Sequence, residues 1–401
     1  MDLGVLSFCL FAGGGITLGT ASGLIPGLHA NNFALLLAAT AASIPGDPLL
    51  IGVAMLTAGV VHTFLDIVPM LTLGVPDAAM AISALPGHRL VLEGRGREAL
   101  RLSAVGSGLA VVIALPLAVP ITWAMTHSYP VIRANLWIVL SAVVCLLVVT
   151  ESTPEAMVGG LLSFALAAAL GWVTLNVTPN APLAAGSMLT PLLTGLFGAP
   201  ILLDAMGGGG VPPQADAKLT MGRRDLGLTA GAGSIAGAIV GYLPGISAAI
   251  ASVLALPAVP NRDPDRGFIV ATSGANTANT VFALFALVAL GTPRTGVMVA
   301  VDETNVPLDI PVLLAAVVVG AACGTLLVVA VGDQYLQTVG QMDYTSVSLV
   351  VLAFLGVLAF AFTGWFGVLV FGVSTVIGLV PPRFDARRVH LMGVLIGPLL
   401  I

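Results

Sequence analysis

The sequence predicts an all-α polytopic membrane protein made of two related halves in inverted topology, with discontinuous, re-entrant helices. Three observations predict it. The 401 residues are 58% hydrophobic and 8% charged, with a mean hydropathy of +1.07. A soluble domain carries about 25% charged residues, so 14 Lys and Arg with 19 Asp and Glu cannot cover the wet surface of a chain this long. Gly (48) and Pro (26) are far more numerous than a simple helix bundle needs. Finally, the chain resembles itself: GGGITLGTASGLIPGLHANN from Gly13 aligns with GAGSIAGAIVGYLPGISAAI from Gly231.

The same numbers exclude several classes of function. A net charge of -5 offers no basic field to nucleic acid. The composition also excludes a soluble enzyme and a disordered chain. Cys9, Cys145 and Cys323 lie in separate apolar runs without metal or redox spacing, and read as small buried hydrophobes. The N-terminus runs Met1, Asp2 and then apolar, without the basic stretch of a secretory signal, so the first apolar run reads as a retained span.

A helix needs about 20 apolar residues to cross hydrocarbon. In order, the candidate segments are 4–22, 29–44, 49–74, 101–120, 133–150, 156–172 and 180–200 in the first half. Those of the second half are 224–243, 246–257, 268–290, 311–330, 343–362, 365–380 and 389–401. Several are too short to cross, 246–257 most clearly, and 49–74 is interrupted by Pro69 and followed by Gly74 and Pro76. Inside a bilayer every backbone N–H and C=O must be satisfied, so broken helices persist only where protein or a wet cavity covers the break. Gly207–Gly210 with Pro212-Pro213 reads as a flexible connector, giving units 1–205, 206–222 and 223–401.

The duplication has two parts. Gly15, Gly19, Gly23 and Gly27 recur every four residues, as do Gly233, Gly237, Gly241 and Gly245, and each run ends in Pro-Gly (Pro26-Gly27, Pro244-Gly245). Small residues at this spacing let helix backbones approach closely in a membrane. Further on, His62-Thr63 and Leu73-Gly74-Val75-Pro76-Asp77 match Asn279-Thr280 and Leu290-Gly291-Thr292-Pro293-Arg294. Basic loops favour the cytoplasmic side. Loop 86–101 carries Arg89, Arg95, Arg97 and Arg101, whereas its counterpart 302–311 carries Asp302, Glu303 and Asp309. Loop 45–48 holds Asp47, whereas 260–266 holds Arg262 and Arg266. The halves are therefore expected to face opposite ways, with the N-terminus outside and the basic stretches at Lys218–Arg224 and Arg383–Arg388 inside. That is the pattern of secondary transporters, whose substrate lies between discontinuous helices near the midplane.

A helix starting at a Pro-Gly break presents unpaired N–H groups and a partial positive charge, which favour an anion. Pro26, Gly27, His29, Asn31 and Asn32 on one side, and Pro244, Gly245 and Ser247 on the other, are the expected substrate loops; alternatively these side chains cap their own backbone. Ser273–Thr280 is unusually polar and suits an unwound helix whose Asn276, Asn279 and Thr280 bind substrate. Interhelical hydrogen bonding is the alternative. Asp66, Asp77, Thr63 and Thr277 are candidates for the coupling-ion path, because acids in apolar segments mark ion or proton routes; Asp77 equally suits an interfacial cap. Arg294 either pairs with a substrate carboxylate or snorkels to the interface. Glu151 and Glu155 flank Pro154 in a loop and read as solvent-exposed. No phosphate-binding loop, metalloprotease motif or nucleophile elbow occurs, and neither a catalytic residue nor a metal site is expected.

The motifs LIPGLHANN, Pro86-Gly87-His88-Arg89…Glu93-Gly94…Glu98-Ala99-Leu100…Ser103 and GYLPGISAA resemble the large membrane subunit of the tripartite tricarboxylate transporters, in its shorter archaeal-type form. The resemblance runs over most of the chain, and its two Pro-Gly loops match Pro26-Gly27 and Pro244-Gly245. Ser273–Thr280 stands where the family has a Glu-x-x-x-Asn-Asn motif. The resemblance implies a multi-pass cell-membrane carrier that takes up di- or tricarboxylates by symport with Na⁺ or H⁺. It also implies a small membrane subunit and an extracytoplasmic binding protein as partners. A homo-oligomer, a carrier of polyprenyl or lipid phosphate, an intramembrane enzyme using Asp66 and Asp77, and a structural membrane partner are the other readings.

Overall fold

The computed structural model describes residues 3–26, 28, 30–41, 44–74, 84–182, 188–206, 211–216, 218–243, 248–255, 259 and 263–400. Among them all secondary structure is helical. Seven helical segments are long and apolar enough to cross a membrane, and all four Trp are exposed on the outer flanks, where their rings meet lipid and its interface. The chain is a multi-pass membrane protein.

The first half comprises α1 (Leu3–Gly23), α2 (Ala30–Ala41), α3 (Pro48–Leu65), α4 (Ile67–Leu73), α5 (Ala84–Leu92), α6 (Gly96–Ala134), α7 (Leu136–Val149) and α8 (Pro154–Thr174). Next, α9 (Leu189–Leu193) runs through a π turn at Thr194–Gly198 into α10 (Ala199–Ala205). The second half comprises α11 (Arg223–Tyr242), α12 (Ala248–Ala255), α13 (Pro264–Leu290), α14 (Gly296–Glu303), α15 (Ile310–Val339), α16 (Tyr344–Gly378) and α17 (Gly393–Leu400). Two 3-10 turns, Pro381–Phe384 and Arg388–Met392, lie between α16 and α17.

Local chemistry sets the boundaries. Asp47 accepts from Leu49 N (2.8 Å) ahead of Pro48, and Thr153 accepts from Ala156 N (3.1 Å) ahead of Pro154. Each is a side-chain cap followed by a proline whose missing N–H costs nothing there. The break between α3 and α4 falls at Asp66, three residues before Pro69, whose ring cannot donate to the carbonyl one turn back. The same sequence position in the two halves ends a helix in the same way. Gly74 (φ 68) closes α4 and Gly291 (φ 61) closes α13, a left-handed conformation that suits glycine.

The glycine stripes do the same work twice. A Cβ on Gly15 would lie 2.3 Å from the Ala54 carbonyl oxygen, and one on Gly19 2.4 Å from that of Ala58. On Gly23 it would lie 2.6 Å from the Leu65 Cβ. In the second half the equivalents are Gly233 on Ala271 O (2.4 Å), Gly237 on Ala275 O (2.6 Å) and Gly241 on Phe282 Cβ (2.9 Å). These pairs advance together along both chains, so α1 runs parallel to α3 and α11 parallel to α13, with backbones in direct contact.

The centre consists of α3, α13, α6 and α15. The most apolar window of α3–α4 and that of α13 are each 72% buried, against 17% for α1, which makes these two the inner elements. Thr63 meets Thr277 and Asp66 meets Asn276, so the end of α3, at its break with α4, crosses the middle of α13 antiparallel. The long helices are exchanged between the halves. α6 of the first half packs on α13, with a Gly106 Cβ 2.7 Å from Val270 O. α15 of the second half packs on α3, where Gly320 faces the Thr57 carbonyl and Gly324 the Phe64 ring. α6 and α15 then meet antiparallel at Arg97–Asp333, Leu100–Gly332 and Gly108–Thr325.

A second apolar cluster is formed largely by α7, α8, α9, α11, α12 and α17. α8 and α17 approach through Gly171 on Val394 O and Gly393 on Phe164 O. The segments 343–362 and 365–380 are two helices that meet at a sharp kink, where Gly364 has a non-helical backbone (φ 64, ψ -162) and a side chain would strike Asn180 O.

Three expectations require correction. The connector is docked where it is described: Gln214 accepts from Gly96 N (2.6 Å) and donates to Val91 O (3.0 Å), and Ala215 N donates to Gly94 O. Residues 207–210 lie outside the described residues. Cys9 and Cys145 are exposed on apolar flanks, because in lipid a small apolar thiol has no reason to turn inward. Ser273–Thr280 lies within the unbroken helix α13, where Ser273, Asn276 and Thr277 bond to neighbouring helices while the backbone ladder stays intact.

Candidate functional site

The crossing of α3 and α13 gathers a cluster of buried polar side chains. Asn276 Nδ2 donates to Asp66 Oδ2 (2.7 Å), and Thr63 Oγ1 donates to Thr277 Oγ1 (3.4 Å). Thr277 Oγ1 in turn donates to Ser107 Oγ of α6 (2.9 Å). One turn along, Ser273 Oγ donates to Ser103 Oγ (2.9 Å), and Ser107 Oγ donates to the Ser273 carbonyl (3.1 Å). Ser103 and Ser107 are four residues apart on α6, so they present one polar stripe to α13. On the other flank of α3, His62 Nδ1 lies 2.9 Å from Ser22 Oγ of α1, and its ring stacks on Phe33 of α2 (centroids 5.7 Å, planes 8° apart). All of these polar side chains are buried. Buried polar groups in hydrocarbon persist only with partners, and these join α1, α3, α6 and α13.

Both helix ends reach this level. Gly23, three residues before Pro26, packs on Leu65 and the His62 carbonyl; Gly241, three residues before Pro244, packs on Phe282 and on Asn279 O and Oδ1. The Asn279 Oδ1 atom is buried and has no hydrogen-bond partner among the described residues. Thr280 is buried beside it on α13. Pro26 sits in the turn after α1 and lines a cavity of about 350 Å³ with Val331, Tyr335, Val339, Met342 and Val347.

Asn276, Thr63, Thr277 and Asp66 are thus brought to one crossing, while Asn279, next along α13, faces Gly241 of α11 and Thr280 is buried beside it. Asn31 and Asn32 fall in the first turn of α2, and their side chains lie outside the description. Gly27, His29, Asp77, Pro244, Gly245 and Ser247 lie outside the described residues. Sequence reasoning left out Ser22, Ser103 and Ser107. Ser103 and Ser107 had a signal, two serines one helical turn apart in an apolar run. Ser22 had only its place in the glycine stripe.

Away from the crossing, two carboxylates form buried ionic nodes. Glu98, at the start of α6, receives Arg266 Nε (3.0 Å), Arg95 Nη2 (2.6 Å) and Thr220 Oγ1 (2.9 Å), joining both halves and the connector. Glu151 receives Arg387 Nε (2.9 Å) and lies 2.7 Å from His390 Nε2. Burial pushes the Glu151 carboxyl up, but hydrogen bonds from Arg387 and His390 outweigh it and hold it below the ordinary carboxylate range. This corrects the solvent-exposed reading of Glu151; Glu155 is exposed. The acid turned inward because basic groups some 236 residues on lie across from it. Among the described residues no group of His, Cys, Asp and Glu could hold a metal ion.

The family model described as the tripartite tricarboxylate transporter TctA family matches residues 9–393. The chain belongs to this family. An uncharacterized protein of Methanocaldococcus jannaschii, MJ1079, is 26% identical over 394 residues, covering 96% of each chain. That relative agrees with the archaeal-type likeness of the Pro-Gly loops. No solved structure matches the chain. Within the TctA match fall the α3–α13 crossing, both glycine stripes and both ionic nodes.

Proposed function

We propose that this chain is the permease subunit of a secondary transporter for small organic anions of the di- and tricarboxylate class, driven by Na⁺ or H⁺ symport. The observation that carries the reading is the antiparallel crossing of α3 and α13, which gathers polar side chains from both halves where the α3–α4 break meets the middle of α13. The antiparallel partners lie within two helical turns of equivalent positions (Thr63 matches Thr280, Asp66 matches Ala283), which supports two inverted copies around a midplane site. Substrate would lie between the Pro26-Gly27 and Pro244-Gly245 ends, with Asn276, Asn279 and Thr280 offering neutral donors and acceptors. Asp66, Thr63 and Thr277 stand on the ion path, and access alternates between the two faces. The arginine-rich end, with Arg89, Arg95, Arg97 and Arg101, would face the cytoplasm in the cell membrane, placing the N-terminus outside. A small membrane subunit and an extracytoplasmic binding protein are the partners the family membership supports.

The test is uptake of labelled citrate and related acids into proteoliposomes, with and without an imposed Na⁺ or H⁺ gradient. Gradient-dependent accumulation is expected, and Gly27→Leu and Gly245→Leu should abolish it. If no carboxylate accumulates under either gradient, the reading fails. If both Leu variants transport normally, the helix-end site fails.

A further inference from the structure

Arg294 stands apart from the polar crossing. It lies in the turn between Gly291, which closes α13, and Thr295, whose hydroxyl accepts from Met298 N at the start of α14 (3.4 Å). Its guanidinium Cζ sits 5.2 Å from the centre of the Tyr129 ring of α6, and its Nη2 donates to the Tyr129 hydroxyl. Its Nε, and the hydroxyl of Thr292 two residues earlier, are both buried, and neither has a hydrogen-bond partner among the described residues. Bare buried polar atoms are costly, and water, an ion or a ligand is among the groups that satisfy them.

The chemistry of that group follows from the donors. A guanidinium already fixed on an aromatic face, with Nε unpartnered, selects an oxyanion, and a hydroxyl two residues earlier in the same turn is a neutral donor. The surroundings make the cation conspicuous. From the turn, α14 runs outward along α3, with Val297 on Gly59 and Val306 on Gly52, toward the acids at its own end (Asp302, Glu303), at the start of α3 (Asp47) and at the start of α15 (Asp309). The basic side chains on either side of Tyr129 in α6, His127 and Arg133, are exposed. The turn also terminates α13, whose middle carries Asn276, Asn279 and Thr280. From Thr280 to Leu290 is about 15 Å of helix. At the matching place in the first half the sequence has Asp77, so the duplicated Leu-Gly-x-Pro motif carries a base in one copy and an acid in the other.

We propose that Arg294 and Thr292 form a carboxylate-holding site at the end of α13, where a small organic acid is bound on its way to the central crossing; as a step in transport, this rests on the permease reading. Two measurements test it, with citrate as the probe. The first is phenylglyoxal modification of the purified protein in phosphatidylcholine nanodiscs, read by mass spectrometry of the peptide containing residue 294. Citrate should protect Arg294. Absence of protection overturns the site, and so does protection by phosphatidylglycerol alone, which would assign the guanidinium to a lipid phosphate. The second is citrate counterflow in phosphatidylcholine liposomes. Arg294→Gln should raise the half-saturating concentration about tenfold or more, the loss of one charged hydrogen bond, with the maximal rate little changed. Thr292→Val should raise it less, and Arg294→Lys should restore part of the loss. An unchanged half-saturating concentration in Arg294→Gln overturns the site as a step in transport. Protection without transport by the unmodified protein leaves the site standing and removes the permease reading.

Discussion

Replacing Gly237 by Ala tests whether direct backbone contact holds each copy together. The new Cβ would stand 2.6 Å from the Ala275 carbonyl oxygen. A carbon rests against a carbonyl oxygen at no less than about 3.3 Å, so α11 and α13 must part by roughly 0.7 Å. Because the obstacle is backbone, no rotamer change relieves it. Overpacking of this kind costs about 1–3 kcal/mol. Gly231→Ala is the matched control, one and a half turns earlier on the same helix, where a Cβ meets nothing within 4 Å. Ala favours a helix over Gly by up to about 1 kcal/mol, and that gain applies to both variants and cancels in their difference. Gly237→Ala should therefore unfold at lower denaturing-detergent fraction than Gly231→Ala, by about 1–3 kcal/mol, in mixed-micelle titrations. Gly19→Ala against Gly13→Ala should repeat the result on α1, since the approach to Ala58 O is 2.4 Å and Gly13 is unobstructed. Coincident curves for the two variants of either pair would refute the close-contact argument.

Glu98→Gln leaves Arg266 and Arg95 facing a neutral amide in a buried node, and should cost about 3–5 kcal/mol in the same titration. Asp216→Asn, which breaks only an exposed pair with Arg101, should leave the curve in place. Glu151 has a carboxyl held below its ordinary value of 4.5, so its contribution is present above that pH and fades as pH falls through the lowered value. Acid titration of stability should show this loss, and Glu151→Gln should lack it. Thr229 has a buried hydroxyl with no partner among the described residues, so Thr229→Val should be neutral or stabilise by up to about 1 kcal/mol in detergent melts. Asn276→Leu removes the amide donor from Asp66 and should cut carboxylate uptake more than tenfold at normal expression; wild-type uptake would dissociate the crossing from transport.

The membrane character, the duplication and the polar stretch of α13 were legible because each is a local pattern: hydropathy, four-residue glycine spacing, and a run of small polar side chains. The glycine stripes even named the contact face, since Gly15–Gly23 and Gly233–Gly241 are the residues that touch α3 and α13. What each polar residue would face was not legible. Asn276 finds Asp66 from 210 residues away, and Glu151 finds Arg387 from 236. A loop acid reads as solvated until its distant partner is placed. The expected unwinding of Ser273–Thr280 failed for a related reason: hydroxyls one turn apart on α6 satisfy the side chains, and the backbone has no need to open. The division of 343–362 from 365–380 was legible too, and it falls at Gly364, whose backbone is non-helical.

The exchange of α6 onto α13 and α15 onto α3 constrains how the molecule can move. Cutting the chain at the connector would leave each product without the long helix that covers its innermost one. Neither copy is a separable body, so neither can swing as a unit against the other. The inner four helices form one interlocked block drawn equally from both copies. In the proposed transport cycle a sliding surface would run between that block and the outer helices, such as α7, α8 and α17, so the moving and static parts would each contain sequence from both halves. Cross-links placed within the inner block should be tolerated by a working protein, whereas cross-links from it to the outer helices should arrest it.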